Sequence, residues 1–149
     1  MKNYGKTTPS TKNSSEKQQK LDWEREWRNE WITHAPDDKM ITFCDKIAKY
    51  LKEKKLTTNQ IRNFFSEVVR IKENGILKNR TEFLMLKPKI AYAAKRAGEE
   101  GAFVFQKIMT KAIELTYEAE NDQKLQERFK NFHALFEAIL AYHKVHGGK

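Results

Sequence analysis

The sequence predicts an all-α protein, a compact bundle of five to six helices with a disordered basic N-terminal tail. Among 149 residues there are only 3 prolines and 6 glycines, a scarcity that favours helices over a turn-rich β fold. Apolar residues recur at helical spacing, and capping or stop signals bound the segments that carry them. The longest strand-like run is FLML at 83–86. The length is sufficient for one domain with a buried core.

Composition divides the chain into a disordered tail over 1–20, a Trp-bearing N-terminal helix over 21–35 and a helical bundle domain over 36–148. The tail is polar and rich in Ser, Thr and Lys, which predicts disorder. It carries a net charge of +4, from 5 Lys and 1 Glu.

Three tryptophans mark the N-terminal helix. Trp23, Trp27 and Trp31 recur at i, i+4 and i+8, so they would form one stripe of a short helix. Residues 21–45 hold 3 Lys/Arg and 7 Asp/Glu, a net charge of −4 that repels nucleic acid. We therefore expect the stripe to dock on the bundle or on a neighbouring subunit, and not to stack on bases.

The first bundle helix should begin after a cap at Asp37 or Asp38 and end near Lys54. Its predicted apolar side comprises Met40, Ile41, Phe43, Cys44, Ile47, Ala48 and Leu51.

Thr57 and Gln60 have the capping-box spacing, and they predict the start of the second bundle helix. Asn74-Gly75 should end that helix. Its predicted inward side comprises Ile61, Phe64, Phe65, Val68 and Ile71.

A proline between two lysines interrupts the apolar segment FLMLKPKIAYAAKR over 83–96. In one straight helix Lys87 would fall within the apolar arc, and burial of a lone ammonium is costly. Pro88 cannot donate a hydrogen bond to residue 84, so we expect a kink, or a new helix with Pro88 at its first position. Either turns Lys87 outward, and Lys89, Tyr92 and Arg96 then share an outward face.

Two more helices complete the bundle, one over 102–119 and one capped by Asp122. Their predicted apolar faces comprise Phe103, Ile108, Ala112 and Leu115 in the former, and Leu125, Phe129, Phe132, Phe136, Ile139 and Leu140 in the latter.

The positive charge of the folded part lies in its middle third. Residues 46–96 hold 14 Lys/Arg and 4 Asp/Glu, a net of +10, whereas residues 97–149 have a net charge of −1. Such an asymmetry is typical of a surface that binds a polyanion. The candidate RNA-binding residues are Lys54, Lys55, Arg62, Arg70, Lys87, Lys89, Lys95 and Arg96.

The sequence gives no support for a membrane protein, a secreted protein, a metal site or a cofactor site. No apolar run approaches the roughly 18–20 residues that span a membrane, and the N-terminus lacks the apolar region of a signal peptide, so a cytoplasmic protein is expected. Cys44 is the single cysteine, and we expect it in the core. His143 and His146 lack a carboxylate or thiolate partner nearby, so we expect no metal site, and no motif suggests a cofactor.

One catalytic alternative remains. Arg128 and His133 fit the R-x4-H spacing that is similar to HEPN-type ribonucleases, which are also helical bundles. Those enzymes usually have a polar residue directly after the arginine, whereas this chain has Phe129. We expect no enzyme activity, with a HEPN-like ribonuclease as the alternative.

Three blocks of sequence carry a family resemblance. LTTNQIRNFFSEV (56–68), FLMLKPKIAYAAKR (83–96) and FKNFHALFEAILAYHKVHGG (129–148) together resemble the small helical subunit of the Csm complex, the type III-A CRISPR effector. The likeness covers roughly residues 38–148 and leaves out the tail and the Trp helix.

The resemblance implies a non-catalytic subunit of an RNA-guided ribonucleoprotein for antiviral and plasmid defence. Its implied partners are the crRNA–target RNA duplex, the backbone subunit, the large polymerase-like subunit and neighbouring copies of itself. Cleavage of target RNA is implied for the backbone subunit. On the matching positions, RNA contact carries over to Arg62, Arg70, Lys87, Lys89 and Arg96. Lys54, Lys55 and Lys95 come from charge geometry alone.

Overall fold

The computed structural model describes residues 21–148, and the predicted disorder of residues 1–20 lies outside that range. Within it the secondary structure is helical throughout, without a strand, which confirms the all-α prediction. The α-helices are α1 (Trp23–Glu26), α2 (Glu30–Thr33), α3 (Asp38–Glu53), α4 (Thr58–Asn74), α5 (Arg80–Leu84), α6 (Leu86–Ala97), α7 (Glu100–Tyr117) and α8 (Asp122–Val145), with a 3₁₀ turn at Ile76–Lys78. The bundle is built from α3, α4, α6, α7 and α8.

Helix α8 is the centre of the bundle, and it packs against α3, α4 and α7. Aromatic rings fill the space between these helices. Phe136 lies at the centre, with ring centroids 5.2 Å from Phe64 and 5.6 Å from Phe105. Edge-to-face and offset pairs of this kind stabilise a core beyond the area that they bury. The core therefore fixes the positions of α4 and α7 against α8.

The predicted cap of α3 and the predicted start and stop of α4 are confirmed. The Asp37 carboxylate accepts a hydrogen bond from the Met40 backbone N–H at 2.9 Å and caps α3. Thr57 and Gln60 form a reciprocal capping box at the start of α4. Gly75 ends α4 at a φ of 93°, a backbone conformation that only glycine adopts easily.

The cap of α8 is Asn121 and not Asp122, because the Asn121 side chain accepts the hydrogen bond from the Lys124 backbone N–H at 2.8 Å. Helix α7 spans Glu100–Tyr117, where 102–119 was predicted.

The Trp-bearing segment docks on the bundle, but the prediction of one continuous helix was wrong. The chain leaves the helical conformation at Trp27, whose ψ is 142°, and α1 and α2 lie on either side of this break. The Trp27 indole donates a hydrogen bond to the Asn29 side chain at 2.8 Å, which stabilises the turn. Trp27 and Trp31 are both buried, with ring centroids 5.9 and 5.1 Å from Phe43.

The helix is interrupted near Pro88, as predicted, but the new helix begins at Leu86 and not at Pro88. The break falls at Met85, between α5 and α6, and Pro88 is the third residue of α6. Its ring lacks the N–H that would donate to the Leu84 carbonyl, and in a straight helix it would clash with that carbonyl. The chain therefore bends one residue beyond Leu84.

Two predicted core residues lie on the surface. Ile41 is 41% exposed because it lies at the edge of the apolar face of α3, and Phe103 is 38% exposed because it lies on the solvent side of α7, nearly opposite the buried residues of that helix. Phe65 and Leu140 are half-buried, and the remaining residues of the predicted apolar faces are buried. Cys44 is buried as predicted, and burial raises the pKa of its thiol to about 12.

Candidate nucleic-acid interface

Helix α4 presents one basic edge. Ile61, Phe64, Val68 and Ile71 face the core, so Arg62 and Arg70 project from the opposite side of the helix into solvent. Lys54 and Lys55 lie in the turn that precedes α4. The Lys54 ammonium is 5.7 Å from the centre of the Tyr50 ring, and Lys55 is exposed with a left-handed backbone, φ 79°.

Helix α6 presents the second basic edge. Leu86, Ile90 and Ala94 are buried at helical spacing, so the far side of the helix faces solvent. That side carries Lys89, Lys95 and Arg96, all exposed. Helices α4 and α6 are in contact.

A single carboxylate joins the two edges. Glu67 of α4 accepts a hydrogen bond from Lys89 Nζ at 2.9 Å and another from Arg70 Nη2 at 2.6 Å, both at its Oε1. The hydrogen bond from Lys89 is the main reason that the pKa of Glu67 lies below its usual range. Two of the predicted RNA-binding cations are thus held by one anion on the surface that they share.

Lys87 points to the other side of α6. Its Nζ lies 2.9 Å from the Glu114 carboxylate on α7, whereas Lys89 reaches α4. Residues two positions apart on a helix are rotated by about 200° around its axis, so the two lysines leave α6 in nearly opposite directions. Lys87 is outward and half-buried, but it does not belong to the surface between α4 and α6.

Of the six predicted cations on α4 and α6, three form no ion pair with a described carboxylate, and Lys54 and Lys55 in the turn before α4 form none either. Arg62, Lys95 and Arg96 form no ion pair with any other residue from 21 to 148. These side chains need not break an existing ion pair to bind a phosphate. They are therefore the most available cations of the two edges.

A cleft of about 360 Å³ lies between the edges. Its apolar lining comes from Phe64, Ile90, Ala94 and Phe105. The Glu67–Lys89 ion pair also lines it. The polar side chains in its lining also include Gln60 and Asn63. Gln60 Oε1 is already engaged in the capping box, whereas the Asn63 amide makes no hydrogen bond to another described residue.

The two residues of the R-x4-H motif each have a partner outside their own helix. Arg128 Nη1 donates to the Leu115 carbonyl at 2.7 Å and so caps the last turn of α7. His133 packs beside Phe65 of α4, with ring centroids 5.6 Å apart, and burial lowers its pKa. The two side chains therefore contact different helices, α7 and α4.

No other chemistry is evident in the described part of the chain. From residue 21 to residue 148 no three His, Cys, Asp or Glu side chains lie close enough to hold a metal ion. His143 is fully buried: its Nε2–H donates to the Leu56 carbonyl at 2.7 Å, and its Nδ1 lies 3.3 Å from the Thr58 hydroxyl. This histidine fastens the end of α8 to the start of α4.

Two features of this surface were not predicted from the sequence, namely the ion pair of Glu67 with Lys89 and the cleft between α4 and α6. The i, i+3 spacing of Glu67 and Arg70 is visible in the chain and predicts their contact. The pairing of Glu67 with Lys89 depends on how α4 and α6 pack, so no local pattern indicates it. The cleft depends on the same packing.

Comparison with known proteins gives one match. The family model described as Csm2 Type III-A matches residues 35–149, well over half of the chain. No curated protein and no solved structure gives a significant match. No helix among residues 21–148 is long and apolar enough to cross a membrane.

Proposed function

The chain belongs to the Csm2 Type III-A family and is a small subunit of the type III-A CRISPR effector complex, and on that premise we propose that it binds RNA without cleaving it. The RNA is the crRNA–target duplex, and the contacts go to its backbone. As part of this complex the chain would act in the cytoplasm, beside the backbone subunit, the large polymerase-like subunit and neighbouring copies of itself.

The two basic edges carry this proposal. Arg62 on α4 and Lys95 and Arg96 on α6 are exposed and form no ion pair with a described carboxylate. Side-chain cations on two neighbouring helices suit the regular phosphates of a nucleic-acid backbone, and such contacts carry no sequence information. Duplex RNA is bound mainly through its shape, its phosphates and its 2′-hydroxyls.

A salt titration tests the RNA-binding proposal. We expect the isolated protein to bind RNA weakly, with little dependence on sequence and a steep dependence on salt, because each phosphate contact releases counterions. Binding of homopolymer and mixed-sequence RNAs is measured at two salt concentrations. A strong preference for one sequence, or an affinity that salt leaves unchanged, would contradict the proposal.

The non-catalytic part of the proposal rests on the geometry of Arg128 and His133. Arg128 is engaged by the Leu115 carbonyl and His133 packs against a different helix, which supports a non-catalytic role for the pair. We expect the purified protein to leave labelled RNA intact. Metal-independent cleavage by the wild type that is lost in His133→Ala would support the ribonuclease alternative.

A further inference from the structure

We propose that the exposed ring of Tyr92 is a stacking platform for an unpaired RNA base, placed among the cations of α6. The inference rests on the proposed RNA-binding function and extends it from the phosphate backbone to a base. The ligand is a nucleotide that is single-stranded or turned out of a duplex.

Exposure is the first observation. Tyr92 is 67% exposed, and among the described aromatic residues only Phe103 and Tyr117 also lie largely at the surface. Its ring takes part in no aromatic pair, and its hydroxyl makes no hydrogen bond to another described residue. A single exposed ring needs no functional explanation, so the charges of the residues around it decide whether Tyr92 is a candidate binding residue.

The charge around the three exposed aromatic residues differs in sign. Tyr117 lies one turn from Glu114 and next to Glu118, and Phe103 has Glu99 and Glu100 before it and one cation, Lys107, one turn after it. Tyr92, in contrast, has Lys89, Lys95 and Arg96 on its own helix at i−3, i+3 and i+4, which are the positions that neighbour it on the helix surface.

The direction of the ring is the second observation. The buried side of α6 is defined by Leu86, Ile90 and Ala94, and Tyr92 lies nearly opposite to them, on the side that faces solvent. Lys95 and Arg96 flank Tyr92 on the helix surface, and neither forms an ion pair with another residue from 21 to 148. A ligand that reaches the ring therefore meets two unpaired cations.

These features match the chemistry of a nucleotide. A base offers a flat π-face for the ring, and its phosphates offer negative charge for the flanking cations. An aromatic ring within a positively charged surface is the usual arrangement for single-stranded nucleic acid. In an A-form duplex the bases are stacked on one another, so the ring can stack only on a base that is unpaired.

Binding of a fluorescent single-stranded RNA and of the same sequence as a blunt duplex tests the proposal, with the full chain at two salt concentrations. Tyr92→Leu should weaken binding of the single strand by roughly 5- to 150-fold, the range for loss of one stacked base, and leave the salt slope unchanged. Duplex binding should change little. Tyr92→Phe, the matched control, should bind like the wild type because it keeps the ring.

The variant Lys95→Ala/Arg96→Ala separates this inference from the function on which it rests. It should flatten the salt slope by up to about two units for both forms of RNA. If it does so while Tyr92→Leu binds both forms like the wild type, the platform is refuted and backbone binding stands. If the wild type binds no RNA at all, both are refuted.

Two more results would overturn the platform. Equal losses in Tyr92→Phe and Tyr92→Leu would show that the hydroxyl, and not the ring, makes the contact. A Tyr92→Leu variant that binds RNA normally but fails to copurify with the other subunits would assign the ring to a protein interface. Thermal melting of each variant verifies folding, which we expect to be intact because position 92 is exposed.

Discussion

At the scale of single residues, burial or a hydrogen bond shifts the pKa of three ionisable side chains, Cys44, His143 and Glu67. Burial raises the pKa of Cys44, and the thiol lies 3.8 Å from the Leu135 carbonyl, so it behaves as a core residue. Burial lowers the pKa of His143, whereas the hydrogen bond from Lys89 lowers that of Glu67. Only Glu67 belongs to the basic surface, and the other two belong to the interior.

His143 should make the stability of the protein depend on pH. Its pKa in the folded state is below the unfolded value of about 6.5, so the unfolded chain takes up protons first as the pH falls. The free energy of unfolding should therefore be unaffected well above pH 7. It should decline as the pH falls below about 6.5, until the pH reaches the folded-state pKa.

Urea denaturation at several pH values measures this dependence. His143→Gln should flatten the decline, although His133, whose pKa burial also lowers, leaves part of it. The control is His34→Gln, which removes an exposed histidine and should leave the decline unchanged. An unaltered decline in His143→Gln would contradict the prediction.

At the scale of elements, helices α4 and α6 share the basic surface through the contacts of Glu67. The capping box of α4 and the glycine stops of both helices follow from local signals, and so does the exposure of Arg62, Arg70 and Arg96. The ion pairs between helices do not follow from local signals, because they depend on which helices are neighbours. Lys87 and Lys89 are close in sequence, yet they bind carboxylates on α7 and α4.

Removal of the Glu67 charge should strengthen RNA binding. Glu67→Gln releases Lys89 and Arg70, so we expect a several-fold higher affinity at low salt and a salt slope steeper by up to about two units. The control is Glu73→Gln, which removes one charge from the same helix at an exposed position without an ion pair to a described residue. Equal effects of the two changes would show that net charge alone decides.

Replacement of both Lys87 and Lys89 by Ala should change folding little and RNA binding more. Their ion pairs are partly exposed, and such pairs contribute at most about 1 kcal/mol each. Binding to the guide–target duplex should weaken, with a flatter salt slope. Thermal melts and duplex titrations measure the two effects. A melting temperature far below that of the wild type would show that the lysines are mainly structural.

The kink between α5 and α6 should depend on Pro88. In Pro88→Ala the new N–H can donate to the Leu84 carbonyl, so the helices can join and α6 can rotate relative to α7. We expect a loss of stability or of duplex binding, although the change removes no charge. The same melts and titrations apply, and a variant that matches the wild type in both would show that the break at Met85 has another cause.

At the scale of the whole molecule, the Trp-bearing segment is part of the core, although it lies almost entirely outside residues 35–149 that match the family model. The helical bundle was predictable because its apolar periodicity, caps and stops are local. The position of the segment was predictable only in outline. Its break at Trp27 depends on the indole of Trp27 bonding to Asn29 and on the rings fitting against Phe43.

Truncation of Trp31 should therefore destabilise the isolated protein. Trp31 is 1% exposed, and loss of a buried tryptophan costs about 3–5 kcal/mol. Trp23 is half-buried, so Trp23→Ala is the matched control with a smaller expected loss. Chemical denaturation measures both. If Trp31→Ala were as stable as the wild type, the segment would not be docked on the free protein.

The position of the tryptophans also gives the protein a natural optical probe. All three lie between residues 23 and 31, and α4 and α6 contain none. Ultraviolet emission therefore reports on the environment of the N-terminal segment, whereas circular dichroism at 222 nm reports on the helices of the whole bundle. A red shift of the emission at a lower temperature than the loss of ellipticity would reveal that this segment detaches before the bundle melts.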